Sequence, residues 1–139
     1  MEAGRPVILV PDADIETIAT TVLVAWNGSA EASRAVSMAM PMLTRAKRVV
    51  VLTVDDGEIS ADPEALATTL RANGVDADAV TAEMDRAGVA ATLEVEAGKQ
   101  KADLILIGAY SHSRVREFVM GGVTDDALTE GSVPMMLAR

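Results

Sequence analysis

The residues best suited to chemistry gather late in the chain, between Asp103 and Glu130. Asp103-Leu-Ile-Leu-Ile-Gly108 reads as a buried strand that ends in glycine, and Gly121-Gly122-Val123-Thr124 opens a helix running from near Gly122 to Glu130. Glycine at a strand end lets the chain turn off the sheet with no side chain above it. Gly121 and Gly122 leave the following helix start bare, so a phosphate can approach the amides of Gly122, Val123 and Thr124. Thr124 adds a hydroxyl, and Arg114 and Arg116 add positive charge. The plainer reading of the same glycines is that they serve tight turns and close helix–sheet packing. Neither the dinucleotide fingerprint G-x-G-x-x-G nor the P-loop G-x-x-x-x-G-K-[ST] occurs.

Other reactive residue types carry less. His112 has no acidic partner nearby in sequence and reads as a solvated loop residue. Ser111 and Ser113 lack a base to activate them, so no catalytic residue is assigned. Asp55-Asp56-Gly57-Glu58 reads as a solvated loop. Asp125-Asp126 falls in the first turn of the last helix, where the dipole favours carboxylates but where they also repel a phosphate. Met38, Met40, Met42, Met135 and Met136 read as adaptable core or interface filling.

Positioning these residues requires a scaffold, and the apolar pattern supplies one. Runs at Val22–Trp26, Val49–Val54, Asp103–Gly108 and Val133–Ala138 are short and aliphatic, and Val75–Glu83 alternates in part. Near-continuous apolar runs mark strands buried on both faces of a parallel sheet. Between them, Ser29 caps a helix through Ala46, which Pro41 should bend. Asp62-Pro63-Glu64 starts a second helix that stops at Asn73-Gly74. A third runs from near Asp85 to Lys101, weakened by Gly88 and Gly98. Regular β-α alternation implies right-handed crossovers and a parallel sheet with helices on both faces. Ligands of such sheets bind beyond the carboxyl ends of the strands, here the loops after Trp26 and Gly108.

Composition narrows the partners. Twelve basic and 21 acidic residues give a formal net charge of −9, which argues against nucleic acid and against an anionic membrane surface. Small anions remain open through helix N-termini. The chain has no cysteine and one histidine, which excludes disulfides, thiolate metal sites and multi-histidine metal sites. Met-Glu-Ala-Gly-Arg-Pro has no signal-peptide pattern, and no apolar run approaches the roughly 18 residues of a membrane span. A cytoplasmic protein is expected. With half of 139 residues hydrophobic but only 2% aromatic, one core of Val, Leu, Ala and Met is expected.

Val22-Leu-Val-Ala-Trp-Asn-Gly-Ser29, Ala102-Asp-Leu-Ile-Leu-Ile-Gly108, Tyr110-Ser-His-Ser-Arg-Val-Arg-Glu117 and Gly121-Gly-Val-Thr124 together resemble the universal stress protein family, from Val22 to Arg139. The resemblance implies a doubly wound, Rossmann-like α/β fold of five parallel strands in the order 3-2-1-4-5, to which the N-terminal segment adds an edge strand, and a homodimer, often through the last strand. Some members bind ATP through Gly-x2-Gly-x9-Gly-[Ser/Thr]; others lack that motif and bind no nucleotide. Here the pattern reads Gly108-x2-Ser111-x9-Gly121-Gly122, and Asn27 stands where ATP-binding members usually carry aspartate. The nucleotide site so implied comprises Ala25, Trp26, Asn27, Val54, Gly108, Ser111, Gly121, Gly122, Val123 and Thr124, with ATP and magnesium as ligand. Trp26 reads either as packing or as a lid over adenine. The resemblance also divides the chain into residues 1–21, a strand and linker resembling the tail of a preceding module, and a domain over 22–139. Pro6-Val-Ile-Leu-Val10 resembles Pro134-Met-Met-Leu-Ala138, and the two segments are expected to pair, within the chain or with a partner, covering an exposed edge. Two functions follow: a stress-associated regulatory module that binds an adenine nucleotide, or a nucleotide-free dimerisation module of the same fold.

Overall fold

A computed structural model describes residues 5–11, 15–58, 61–108 and 133–138. The elements are β1 (Val7–Leu9), β2 (Thr21–Ala25), α1 (Ala30–Arg45), β3 (Arg48–Asp55), α2 (Pro63–Ala72), β4 (Ala77–Glu83), α3 (Val89–Gln100), β5 (Leu104–Gly108) and β6 (Met135–Ala138). The helix expected from near Gly122 to Glu130 lies outside the described residues.

The strands form one six-stranded sheet in the order β1-β6-β5-β2-β3-β4. The five strands from β2 onward pair in parallel, and their order is the expected 3-2-1-4-5 when counted from β2. β1 adds a sixth, antiparallel strand beside β6 of the same chain. The expected pairing of residues 6–10 with the chain's end therefore forms within one chain.

Alternate strand residues feed two cores. Val22, Val24, Val49, Val51, Leu104 and Leu106 meet Ala35, Ala39 and Leu43 of α1 and Ala67 and Leu70 of α2. Leu23, Val50, Leu52, Ile105 and Ile107 meet Ala90, Leu93 and Ala97 of α3. The crossovers through α1 and α2 step the sheet one way and that through α3 brings it back, which is why α3 covers the opposite face. The winding direction reverses between β2 and β5.

Local chemistry sets the helix ends. The Ser29 hydroxyl accepts from the Ala32 amide at 3.0 Å, and Asp62 accepts from the Glu64 amide at 3.0 Å; each satisfies an amide with no partner in its helix. α1 runs without interruption through Pro41 to Arg45. The third helix is shorter than its pattern suggests, starting at Val89 rather than near Asp85. The Asp85 carboxylate accepts from the Ala87 amide at 2.8 Å and the Asp85 carbonyl from the Gly88 amide at 2.9 Å. These bonds hold Asp85–Gly88 in a turn that competes with helix.

One polar latch holds the entry to the sheet. Asp103, just before β5, accepts from the Thr17 hydroxyl at 2.7 Å and from the amides of Thr20 and Thr21, each at 2.9 Å. It thereby fastens the segment before β2 to β5, its neighbour in the sheet but more than 80 residues away in sequence.

Candidate functional site

The chain leaves β2 through a tight sequence of bonds. The Trp26 amide donates to the Leu52 carbonyl at 2.8 Å, which carries the β2–β3 ladder one residue past the strand. The Thr53 hydroxyl, buried, donates to the Trp26 carbonyl at 3.0 Å. Gly28 then takes a φ of +75°, with the position of an added Cβ only 3.0 Å from Ala61 Cβ, so a side chain there would be both strained and crowded. The Asn27 side-chain carbonyl accepts from the Ser29 amide at 3.1 Å, and α1 begins.

At the far side of the reversal point, Gly108 ends β5 against the first turn of α1. A Cβ on Gly108 would lie 2.6 Å from the Ala32 amide nitrogen and 2.7 Å from the Glu31 carbonyl carbon. Both are backbone atoms with no rotamer to change. For Gly108, close helix–sheet packing is thus a sufficient reason for glycine.

Between these features lies a cleft at the carboxyl ends of β2, β3 and β5. Ala25, Trp26, Asn27, Val54 and Gly108 all line it, although they come from three separate stretches of sequence. Ser111, Gly121, Gly122, Val123 and Thr124, the phosphate side of the expected site, lie outside the described residues. Trp26 lines the cleft and also packs, partly buried, against the α1–α2 core.

Several cleft residues escaped the sequence reading. Leu52, Leu93 and Ile107 supply apolar walls, and Thr53 a polar point among them. Asp56 and Glu58 stand at the cleft too, where the sequence suggests only a solvated loop. The Asp55 and Asp56 side chains accept from the Gly57 and Glu58 amides at 2.9 and 3.1 Å, holding this loop at the end of β3. The signal that finds them is topological: the loop follows the carboxyl end of a strand beside the reversal point.

The described lining combines apolar walls with a few polar groups. Apolar walls with a few convergent polar groups are the usual make-up of a small-molecule pocket. Asn27 supplies an amide side chain to it, and Asp56 and Glu58 supply acceptors suited to hydroxyl or amino donors. The described lining includes no basic side chain. Among the described residues, the clear pKa displacements fall on Asp103, Glu94 and Arg71, none of which lines the cleft. No described group of three or more His, Cys, Asp or Glu is placed to hold a metal ion.

The sequence model of the universal stress protein family matches residues 19–139. The chain belongs to the universal stress protein family. It is 29% identical to a curated universal stress protein of Synechocystis sp., over 97% of this chain and 47% of that protein. The crystal structure of a universal stress protein from Archaeoglobus fulgidus superposes with a TM-score of 0.71 at 19% identity, covering 99% of this chain and 50% of that one. A universal stress protein family member from Burkholderia pseudomallei gives 0.53 at 26% identity, covering 75% and 90%. UspA of Lactobacillus plantarum gives 0.61 at 16%, covering 89% and 100%. The chain spans about half the length of the cyanobacterial and archaeal relatives. Its fold and its family agree: an α/β domain of the stress-response type, in which no described helix is long and apolar enough to cross a membrane.

Proposed function

We propose that this domain is a regulatory module that binds an adenine nucleotide in the cleft at the carboxyl ends of β2, β3 and β5. The observation that carries the reading is the convergence of Ala25, Trp26, Asn27, Val54 and Gly108 on one cavity at the sheet's reversal point. The base lies against the apolar walls, with Trp26 beside it and Asn27 and Asp56 as polar contacts. The family's sequence pattern assigns the phosphates to Gly121–Thr124, with magnesium offsetting the carboxylates of Asp56 and Glu58. The module acts by binding, and no catalytic step is assigned to it.

A second reading, a nucleotide-free interaction module, draws on two specific observations. Gly108 is explained by its contact with α1, without any ligand. The cleft also presents two carboxylates, which disfavour a triphosphate.

Denaturing the purified protein and analysing the supernatant for adenine nucleotide separates the two. Released nucleotide near one per chain is expected from the first reading. The paired substitution Ser111→Gly with Gly122→Ser restores the nucleotide-binding pattern of the family and is expected to tighten ATP binding at least tenfold, a change of about 1.4 kcal/mol. An unliganded wild type whose restored variant also fails to bind ATP with magnesium favours the second reading.

A further inference from the structure

We propose that Thr53 is a positioning residue of the cleft: its hydroxyl, acting through the main chain of Trp26, sets how Trp26 and Asn27 face the ligand. The role deepens the nucleotide reading, and only its effect on binding rests on that reading.

Among the described residues, three polar side chains are buried: Thr53, Thr92 and Glu96. Two of them are accounted for within α3. The Thr92 hydroxyl closes the Asp85–Gly88 turn, donating to the Gly88 carbonyl at 2.8 Å and accepting from the Asp85 amide at 2.7 Å. Glu96 pairs with Lys99 at 3.2 Å. Thr53 stands apart from both. Strand alternation puts it on the sheet face of Val49 and Val51, where an aliphatic side chain of the same shape would pack. Its hydroxyl donates instead to the Trp26 carbonyl at 3.0 Å.

The bond falls where the backbone leaves the sheet. Strand pairing between β2 and β3 ends at Ala25 with Leu52, and the Trp26 amide donates to the Leu52 carbonyl at 2.8 Å. β3 thus holds Trp26 at both its amide and its carbonyl. Peptide units are planar, so holding one on each side of the α-carbon fixes the direction of the side chain. Two residues later comes Gly28, with a φ of +75°. Glycine is the most permissive residue, so a turn without the carbonyl anchor is free to swing about Gly28 and carry Asn27 with it. Thr53, Trp26 and Asn27 all line the cleft, which places the anchor inside the site it orders. A site whose competent arrangement is populated part of the time binds with an affinity lowered by that fraction.

Trp26 is the one tryptophan of the chain. Its placement is therefore read without ligand, from the tryptophan band of near-ultraviolet circular dichroism and from quenching of its emission by acrylamide. Thr53→Val keeps the shape and removes the hydroxyl; loss of the band and stronger quenching are expected. Thr53→Ser gives up a methyl group but keeps the hydroxyl, and should return both signals to wild type. Thr92→Val removes the other buried threonine hydroxyl and should lower the unfolding midpoint with both signals unchanged. Wild-type signals from a folded Thr53→Val chain overturn the proposal. Equal disturbance by Thr53→Val and Thr53→Ser does so too, because the effect then lies in packing. If Thr53→Val does not fold, Thr53→Ser is compared with Thr53→Ala, which differs from it by the hydroxyl alone; matching signals from these two overturn the proposal equally.

Binding of ATP with magnesium is measured on the same variants. Thr53→Val is expected to raise Kd about fivefold, the equivalent of one net hydrogen bond, and Thr53→Ser to stay within about twofold of wild type. Unchanged affinity in Thr53→Val overturns the positioning role. A wild type that binds neither adenosine nor ATP removes the nucleotide reading instead, and the ligand-free signals still decide the role of Thr53.

Discussion

Replacing Gly108 by alanine is expected to destabilise the domain by about 2–3 kcal/mol, within the usual range for overpacking a tight interior. The added Cβ would sit 2.6–2.8 Å from three backbone atoms of Glu31 and Ala32. Relief requires the start of α1 to move away from β5, which breaks the packing of Ala32 and opens the Ser29 cap. In urea, where slopes run at roughly 1–3 kcal/mol per molar, the midpoint should fall by about 1 M. Gly98→Ala is the control. An added Cβ there has nothing within 4 Å, and alanine in a helix interior is expected to raise stability by about 0.5–1 kcal/mol. Equal unfolding midpoints for the two variants would contradict the packing described for α1 and β5.

Asp103→Asn is expected to cost about 1–2 kcal/mol at neutral pH, allowing for the partial exposure of the group. The lost element is the charged acceptor for the Thr17 hydroxyl and the Thr20 and Thr21 amides. Burial alone would raise the Asp103 pKa, but hydrogen bonds from Thr17, Thr21 and Thr20 outweigh it and hold the carboxyl below its ordinary value. The folded state therefore binds its proton less readily than the unfolded chain does. The resulting stabilisation is complete above the unfolded value of about 3.9 and is lost as pH falls through the lower folded value. The gap in stability between wild type and Asp103→Asn should be constant near neutrality and close in acid below about pH 4. Proteolysis should find the segment from Ile15 to Thr20 more readily in the variant. A gap that widens in acid would contradict the assignment.

The parts of the fold that sequence made legible are those fixed by local pattern. Val49–Leu52 and Leu104–Ile107 are continuous apolar runs, and each is a fully buried strand segment. Ser29 and Asp62 announce their helices because a cap is a bond between near neighbours. The third helix failed at its start because Asp85 bonds its own following backbone, which hydrophobic periodicity does not register. Asp103 looked like the first residue of a strand; its partners stand more than 80 residues earlier and no local pattern connects them. In the cleft, the stretch Ala25–Asn27 and Gly108 were legible through strand ends and family pattern. Asp56, Glu58 and Leu93 were not, because their place follows from how β3, α3 and the sheet reversal come together in space.

The cleft contains its own reporter. Trp26 is the one tryptophan of the chain and lines the cavity. Titrating adenosine, and separately ATP with magnesium, while following tryptophan emission therefore reads occupancy of the proposed site directly. Binding of an adenine nucleotide predicts a saturable emission change with a midpoint below about 1 mM, equivalent to roughly 4 kcal/mol, abolished by filling the cleft wall with Val54→Arg in a variant that still folds. A flat emission signal with no heat of binding up to several millimolar, for both adenosine and ATP, would contradict the nucleotide reading of this cleft.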